Sequence, residues 1–231
     1  MFTVALIGPD GAGKTTIGQM LEHALPLPVK YMYMGVNLEA SNYMLPTTRL
    51  ARKIKRLRGT LPDCGGPRDP NAPAERPRSL PRRVLREIKC WISLANRVAE
   101  EWFRQLVAWY FKLRRNIVVF DRHYYADYHA YDIEQTGKRP PLTRRLHGWL
   151  LAHLYPRPDL VIYLDAPPEV LLARKGEGTL ALLERRRQDY LSICRGLQNS
   201  AVVDANRPVG DVAGDVEQQI RKYYSAMRGA N

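Results

Sequence analysis

Cysteine is scarce in this chain. Cys64, Cys90 and Cys194 stand far apart and in no metal-ligand spacing, which argues against a disulfide framework and for free thiols in a reducing compartment. The five histidines form no ligand cluster, so a structural metal is not expected. No run of about 18 apolar residues occurs, which excludes an ordinary spanning helix. The first residues, Met1-Phe-Thr-Val-Ala-Leu-Ile-Gly8, lack the basic start and cleavage site of a secretory leader and read as a strand. A cytoplasmic location is expected. Acidic residues are also few: 23 against 36 Lys and Arg, a formal net charge of +13 on 231 residues.

The positive excess is local. Between Arg49 and Lys89 thirteen Lys or Arg face four Asp or Glu. That block suggests either an anionic polymer or membrane surface as partner, or a solvated insertion with no partner. Within it, residues 59–81 (GTLPDCGGPRDPNAPAERPRSLP) are dense in proline and glycine and poor in large apolar side chains, as expected of a mobile loop. From Arg82 to Arg114 apolar residues recur at helical spacing, and a long amphipathic helix is expected. Its aromatics, Trp91, Trp102, Phe103, Trp109 and Tyr110, are read as core rather than as base-stacking platforms, and no nucleic acid is expected as partner.

Short apolar runs with β-branched residues fall at 2–7, 29–34, 116–121, 160–165 and 201–205, with helical segments between them. Strand–helix alternation of this kind implies one α/β domain, 1–231: a three-layer sandwich around a five-stranded parallel sheet. Ligands of such sheets bind at the carboxyl ends of the strands.

The stretch LIGPDGAGKTT sits at one of those ends. Gly8-x4-Gly13-Lys14-Thr15 fits the G-x-x-x-x-G-K-[ST] pattern, with an apolar strand before it and a helix after it. Glycines let backbone N–H groups converge on a phosphate, Lys14 adds charge, and the Thr15 hydroxyl suits Mg²⁺. A carboxylate close to the metal is expected after a buried strand, and Asp121 (VVFDR) and Asp165 (IYLDA) compete for that role. Asp165, ahead of Ala-Pro-Pro-Glu, reads as a helix cap and Asp121 as the metal residue. Asp10 is a puzzle, because it places a carboxylate in an anion cradle.

Four motifs in order resemble the thymidylate kinase family of nucleoside monophosphate kinases: GPDGAGKTT, DRHYYADYHAY (121–131), PDLVIYLDAPPEVLLAR (158–174) and VVDANRP (202–208). The resemblance implies a P-loop kinase fold and transfer of the γ-phosphoryl group of ATP, with Mg²⁺, to a small acceptor such as a nucleoside monophosphate. It implies that Gly8, Gly11, Ala12, Gly13, Lys14, Thr15 and Thr16 hold ATP, and that Arg207 flanks the adenine. Lys14, Arg122 and Arg174 would neutralise the transferring group, Arg174 together with Lys175 or the arginines at 185–187 from a lid at about 174–187. Asp10 would face an acceptor hydroxyl, and Arg97, Arg122, Tyr131 and Asp132 would complete the acceptor site. The sequence departs from the family on that side: Asp132 stands where the family has glutamine, a Glu-Pro-Gly segment is missing after the second strand, and the basic insertion is extra. A non-nucleotide acceptor (a sugar, glycan intermediate or polyphosphate) is therefore a second expectation, a nucleotide-dependent switch or nucleic-acid module a third, and a homodimer stays open.

Overall fold

The computed structural model describes residues 1–35, 41–57, 80–123, 142–176 and 178–229. Tyr131, Asp132 and most of the 59–81 loop expectation lie outside the described residues.

Five strands build the sheet: β1 (Thr3–Ile7), β2 (Val29–Tyr33), β3 (Ile117–Asp121), β4 (Leu160–Asp165) and β5 (Ser200–Asp204). They pair in the order β2-β3-β1-β4-β5, every pair parallel. The inner strands are buried along nearly their whole length, which explains why they read as continuous apolar runs instead of alternating ones. On the edge strand β5 the pattern breaks, Val203 facing in and Val202 out.

Seven helices are described: α1 (Lys14–Ala24), α2 (Pro46–Leu57), α3 (Leu80–Leu113), α4 (Leu142–His153), α5 (Pro168–Lys175), α6 (Leu180–Arg195) and α7 (Val209–Gly229). They cover both faces of the sheet. Ile17 and Leu21 of α1 and Val212, Val216 and Ile220 of α7 pack with Val4, Leu6, Ile162 and Leu164 on one face. Ala108 of α3 and Tyr190 and Cys194 of α6 pack with Ala5, Ile7, Val118 and Phe120 on the other. The long helix starts at Leu80, two residues before its expected beginning, with Pro81 in its first turn, where a missing N–H costs nothing.

One expectation fails along α3. Trp91, Trp109 and Tyr110 are exposed, as are Val84, Leu85, Ile88 and Ile92, whereas Glu100, Glu101, Arg104 and Gln105 are buried. The buried charges satisfy one another and nearby backbone. Arg104 donates to Glu100 and to the carbonyls of Tyr33 and Gly35, and Glu101 pairs with His147 at 2.8 Å. Burying charge at tolerable cost requires such pairing.

Candidate functional site

Four strands end at one edge of the sheet, and the turns that follow β1, β3, β4 and β5 gather there. The turn after β1 is the glycine loop. Gly8 has φ +146°, and a Cβ there would sit 2.9 Å from the Leu164 carbonyl oxygen of β4. Side chains rarely adopt that backbone conformation, and here there is no room for one either. Gly13, at φ +90°, precedes α1, and no side chain caps that helix. Ala12 is buried below the loop and Thr16 is exposed on the first turn of α1. Lys14 is almost fully buried, and its ammonium donates to the Gly8 and Pro9 carbonyls, both at 2.7 Å. The loop therefore closes around its own lysine, with helix N-terminal N–H groups at its rim.

Asp121 ends β3 beside this loop and is fully buried. Its Oδ2 accepts from the Thr15 hydroxyl at 2.5 Å and from the Tyr31 hydroxyl at 2.8 Å. Its Oδ1 is buried with no hydrogen-bond partner among the described residues. A buried carboxylate oxygen left unbonded is costly, and a cation or a hydrogen-bond donor would satisfy it. Tyr31 reaches this point because α1 carries Gly18 where the Tyr31 ring passes: a Cβ there would lie 2.7 Å from the ring. Mid-helix glycine costs about 1 kcal/mol, and the close approach explains its presence. Burial and the neighbouring Asp121 charge push the Tyr31 phenol well above its ordinary value, so it remains a donor.

Asp10 is turned toward the end of β3, where it forms an ion pair with the Arg122 guanidinium, and its Oδ1 lies 4.0 Å from the Lys14 ammonium. Burial alone would raise its pKa. The charges of Arg122 and Lys14, the Arg122 hydrogen bond and, more weakly, Arg186 outweigh that and hold it below the usual carboxylate range. Arg122 itself has φ +72°, an uncommon, strained conformation for a residue with a side chain.

The remaining expected residues are placed as follows. Arg174, on α5, donates to the Gly11 carbonyl at 3.4 Å and the Ala205 carbonyl at 3.1 Å, bridging the turns after β1 and β5. Arg207 is exposed and pairs with Asp215. Arg97 is exposed on α3; the arginine that reaches the turn after β2 is Arg104. Asp165 is not a cap. It accepts two bonds from Arg187, at 2.7 and 2.9 Å, and one from Tyr163, while Pro167 precedes α5 without a side-chain cap. The Arg187 bond is the main reason its pKa falls.

The pattern therefore brings together Gly8, Asp10, Gly11, Ala12, Gly13, Lys14, Thr15, Asp121, Arg122 and Arg174. Sequence reasoning missed Tyr31 and Arg104, and it named Arg187 only among the lid arginines, not as the partner of Asp165. Gly18 was the one available signal for Tyr31, as an unexplained glycine within a helix. Among the described residues no group of three His, Cys, Asp or Glu could enclose a metal. No family model matches the chain.

Proposed function

We propose that the protein is an ATP-dependent phosphotransferase of the P-loop kinase type, similar to thymidylate kinases, that moves the γ-phosphoryl group to a nucleoside monophosphate or related small acceptor. One observation carries the reading: a glycine loop opening α1 stands beside a buried aspartate whose Oδ2 is bonded by Thr15 and whose Oδ1 is unbonded. Sheet order and loop position support it, because the loop follows the central strand β1 at the binding edge.

Asp121 and Thr15 would hold Mg²⁺. The fit rests on the orphaned Oδ1 beside the Thr15 hydroxyl, since Mg²⁺ commonly takes one or two protein ligands plus phosphate oxygens and water. When bound, the ion would neutralise charge on the phosphates. Phosphate would rest on the uncapped N–H groups of α1, with Lys14 exchanging its Gly8 and Pro9 carbonyls for phosphate oxygens. An acceptor oxygen forms the new bond to the γ-phosphorus while the bond to the β–γ bridging oxygen breaks, releasing ADP. Arg122 and Arg174, the latter at the start of a helical lid over 174–187, would balance the charge, and Asp10 would orient an acceptor hydroxyl. Arg207 would border the adenine.

A second reading keeps this chemistry with a sugar or glycan acceptor. Arg104, the arginine of α3 at the turn after β2, is already bonded to Glu100 and two carbonyls, so it is engaged before any acceptor phosphate arrives.

An ATP-to-ADP release screen against nucleoside monophosphates, nucleosides and sugar phosphates, with a no-acceptor control, tests both readings. Lys14→Ala should lower turnover by at least about a hundredfold. Because Lys14 also bonds two loop carbonyls, a melting curve must accompany the assay. Wild-type turnover in that variant would end the proposal.

A further inference from the structure

Helix α2 turns Thr48 inward. It joins α3 where the Leu45 N–H donates to Glu100 at 3.0 Å and the buried Thr48 hydroxyl bonds Asn96 at 3.3 Å. Its apolar residues Leu50, Ile54 and Leu57 recur at i, i+4 and i+7, a single stripe, and they face solvent, Leu50 60% and Leu57 87% exposed. The first turns of α3 repeat the arrangement. Every described side chain from Val84 to Ser93 is exposed, Leu94 is the first buried one, and the exposed set includes Val84, Leu85, Ile88, Trp91 and Ile92. These turns extend about 15 Å of helix.

Charge accompanies the apolar stripes. Helix α2 carries Arg49, Arg52, Lys53, Lys55 and Arg56 with no acid, and the start of α3 carries Arg82, Arg83, Arg86 and Lys89 against Glu87. A globular helix turns its apolar stripe to the core; these two turn theirs away from it, amid cations.

We propose that α2 and the first turns of α3 dock the protein on an anionic lipid surface. Stripe and charge fit it together: aliphatic side chains enter the boundary between headgroups and acyl chains, cations meet the headgroup anions, and a tryptophan suits that boundary. Association would be peripheral, because no described helix is long and apolar enough to cross a membrane. A second copy of the chain is a poor occupant, since a two-fold contact would set the same cationic patch against itself. Nucleic acid would match the cations but leave Leu50, Ile54 and Ile92 without use, as aliphatic side chains offer no stacking surface. The inference is independent of phosphoryl transfer.

Sedimentation of the full chain with vesicles of phosphatidylcholine alone, or of phosphatidylcholine with phosphatidylglycerol, tests it. Binding should favour the anionic vesicles by at least about tenfold. Leu50→Ser with Ile54→Ser, and separately Ile88→Ser with Ile92→Ser, should each weaken it about tenfold or more. Arg49→Gln with Lys53→Gln should weaken it about fivefold per charge. All six positions lie on the surface or at its edge, so melting curves should not move, which separates lost docking from unfolding. Equal or absent binding to both vesicle types would overturn the proposal. So would anionic binding that raised salt abolishes and that both serine pairs leave unchanged, or retention by RNA or an acidic polypeptide without vesicle binding.

Discussion

Two stretches of α3, its outer end and an inner one at mid-helix, obey opposite rules. From Val84 to Ile92 apolar side chains stand in solvent; from Glu100 to Gln105 charged and polar ones are buried. One continuous helix thus reverses the ordinary relation of polarity to burial in both stretches, and for different reasons. In the inner stretch Glu100 and Arg104, and Glu101 and His147, are paired, so burial is tolerable and fixes geometry. At the outer end none of the described residues covers the stripe. An amphipathic pattern therefore identifies a helix without saying which side faces the core.

Breaking the inner stretch should have the largest effect. Arg104→Ala removes the buried cation that pairs with Glu100 and its bonds to the Tyr33 and Gly35 carbonyls, and should cost about 3–5 kcal/mol in a chemical denaturation curve. Arg97→Ala, two turns away and exposed, should stay within about 0.5 kcal/mol.

His123 tests the role of pairing. It is fully buried, packs against Tyr155, whose hydroxyl bonds the Glu101 carbonyl, and neither ring nitrogen has a hydrogen-bond partner. Burial pulls its pKa from 6.5 down to about 4. The unfolded chain therefore takes up the proton first, and stability is full above about 6.5 and falls as pH drops toward 4. The loss should approach about 3 kcal/mol. His123→Leu should flatten the curve in that window, leaving the decline below it that Asp10, Asp159 and Asp165, all with lowered pKa values, produce. An unchanged curve would show that burial does not govern this histidine.

Tyr31→Phe removes one of two bonds to Asp121 Oδ2 and should cost about 1–2 kcal/mol in the same assay. The smallest effect belongs to the outer end of α3. Ile88→Ser should change stability by less than about 0.5 kcal/mol; a large loss would mean that the stripe is packed after all.

What the sequence disclosed follows from locality. Strands β1, β3 and β4 are continuous apolar runs, and the glycine loop is a contiguous pattern whose chemistry depends on backbone torsions, so both were legible. Asp121 was legible as a strand-end carboxylate beside Arg122. Asp165 was misread, because the residues after it resemble a helix start while its actual partner, Arg187, is 22 positions away. Arg97 and Arg104 are two turns apart on the same helix, and nothing local separates them; the difference lies in the turn after β2. The exposed aromatics of α3 were misread because helical periodicity carries no sign.

The position of Lys14 has a consequence for selectivity. Its ammonium is already occupied by two carbonyl oxygens of its own loop, so an incoming anion competes with the protein's backbone instead of meeting a bare charge. A single monovalent ion, offering one contact, gains little by that exchange. If the loop is the nucleotide site we propose, an extended polyphosphate would reach the lysine and several N–H groups at once, and such a ligand would make the exchange worthwhile. On that proposal the loop would set a threshold that common small anions fail to cross.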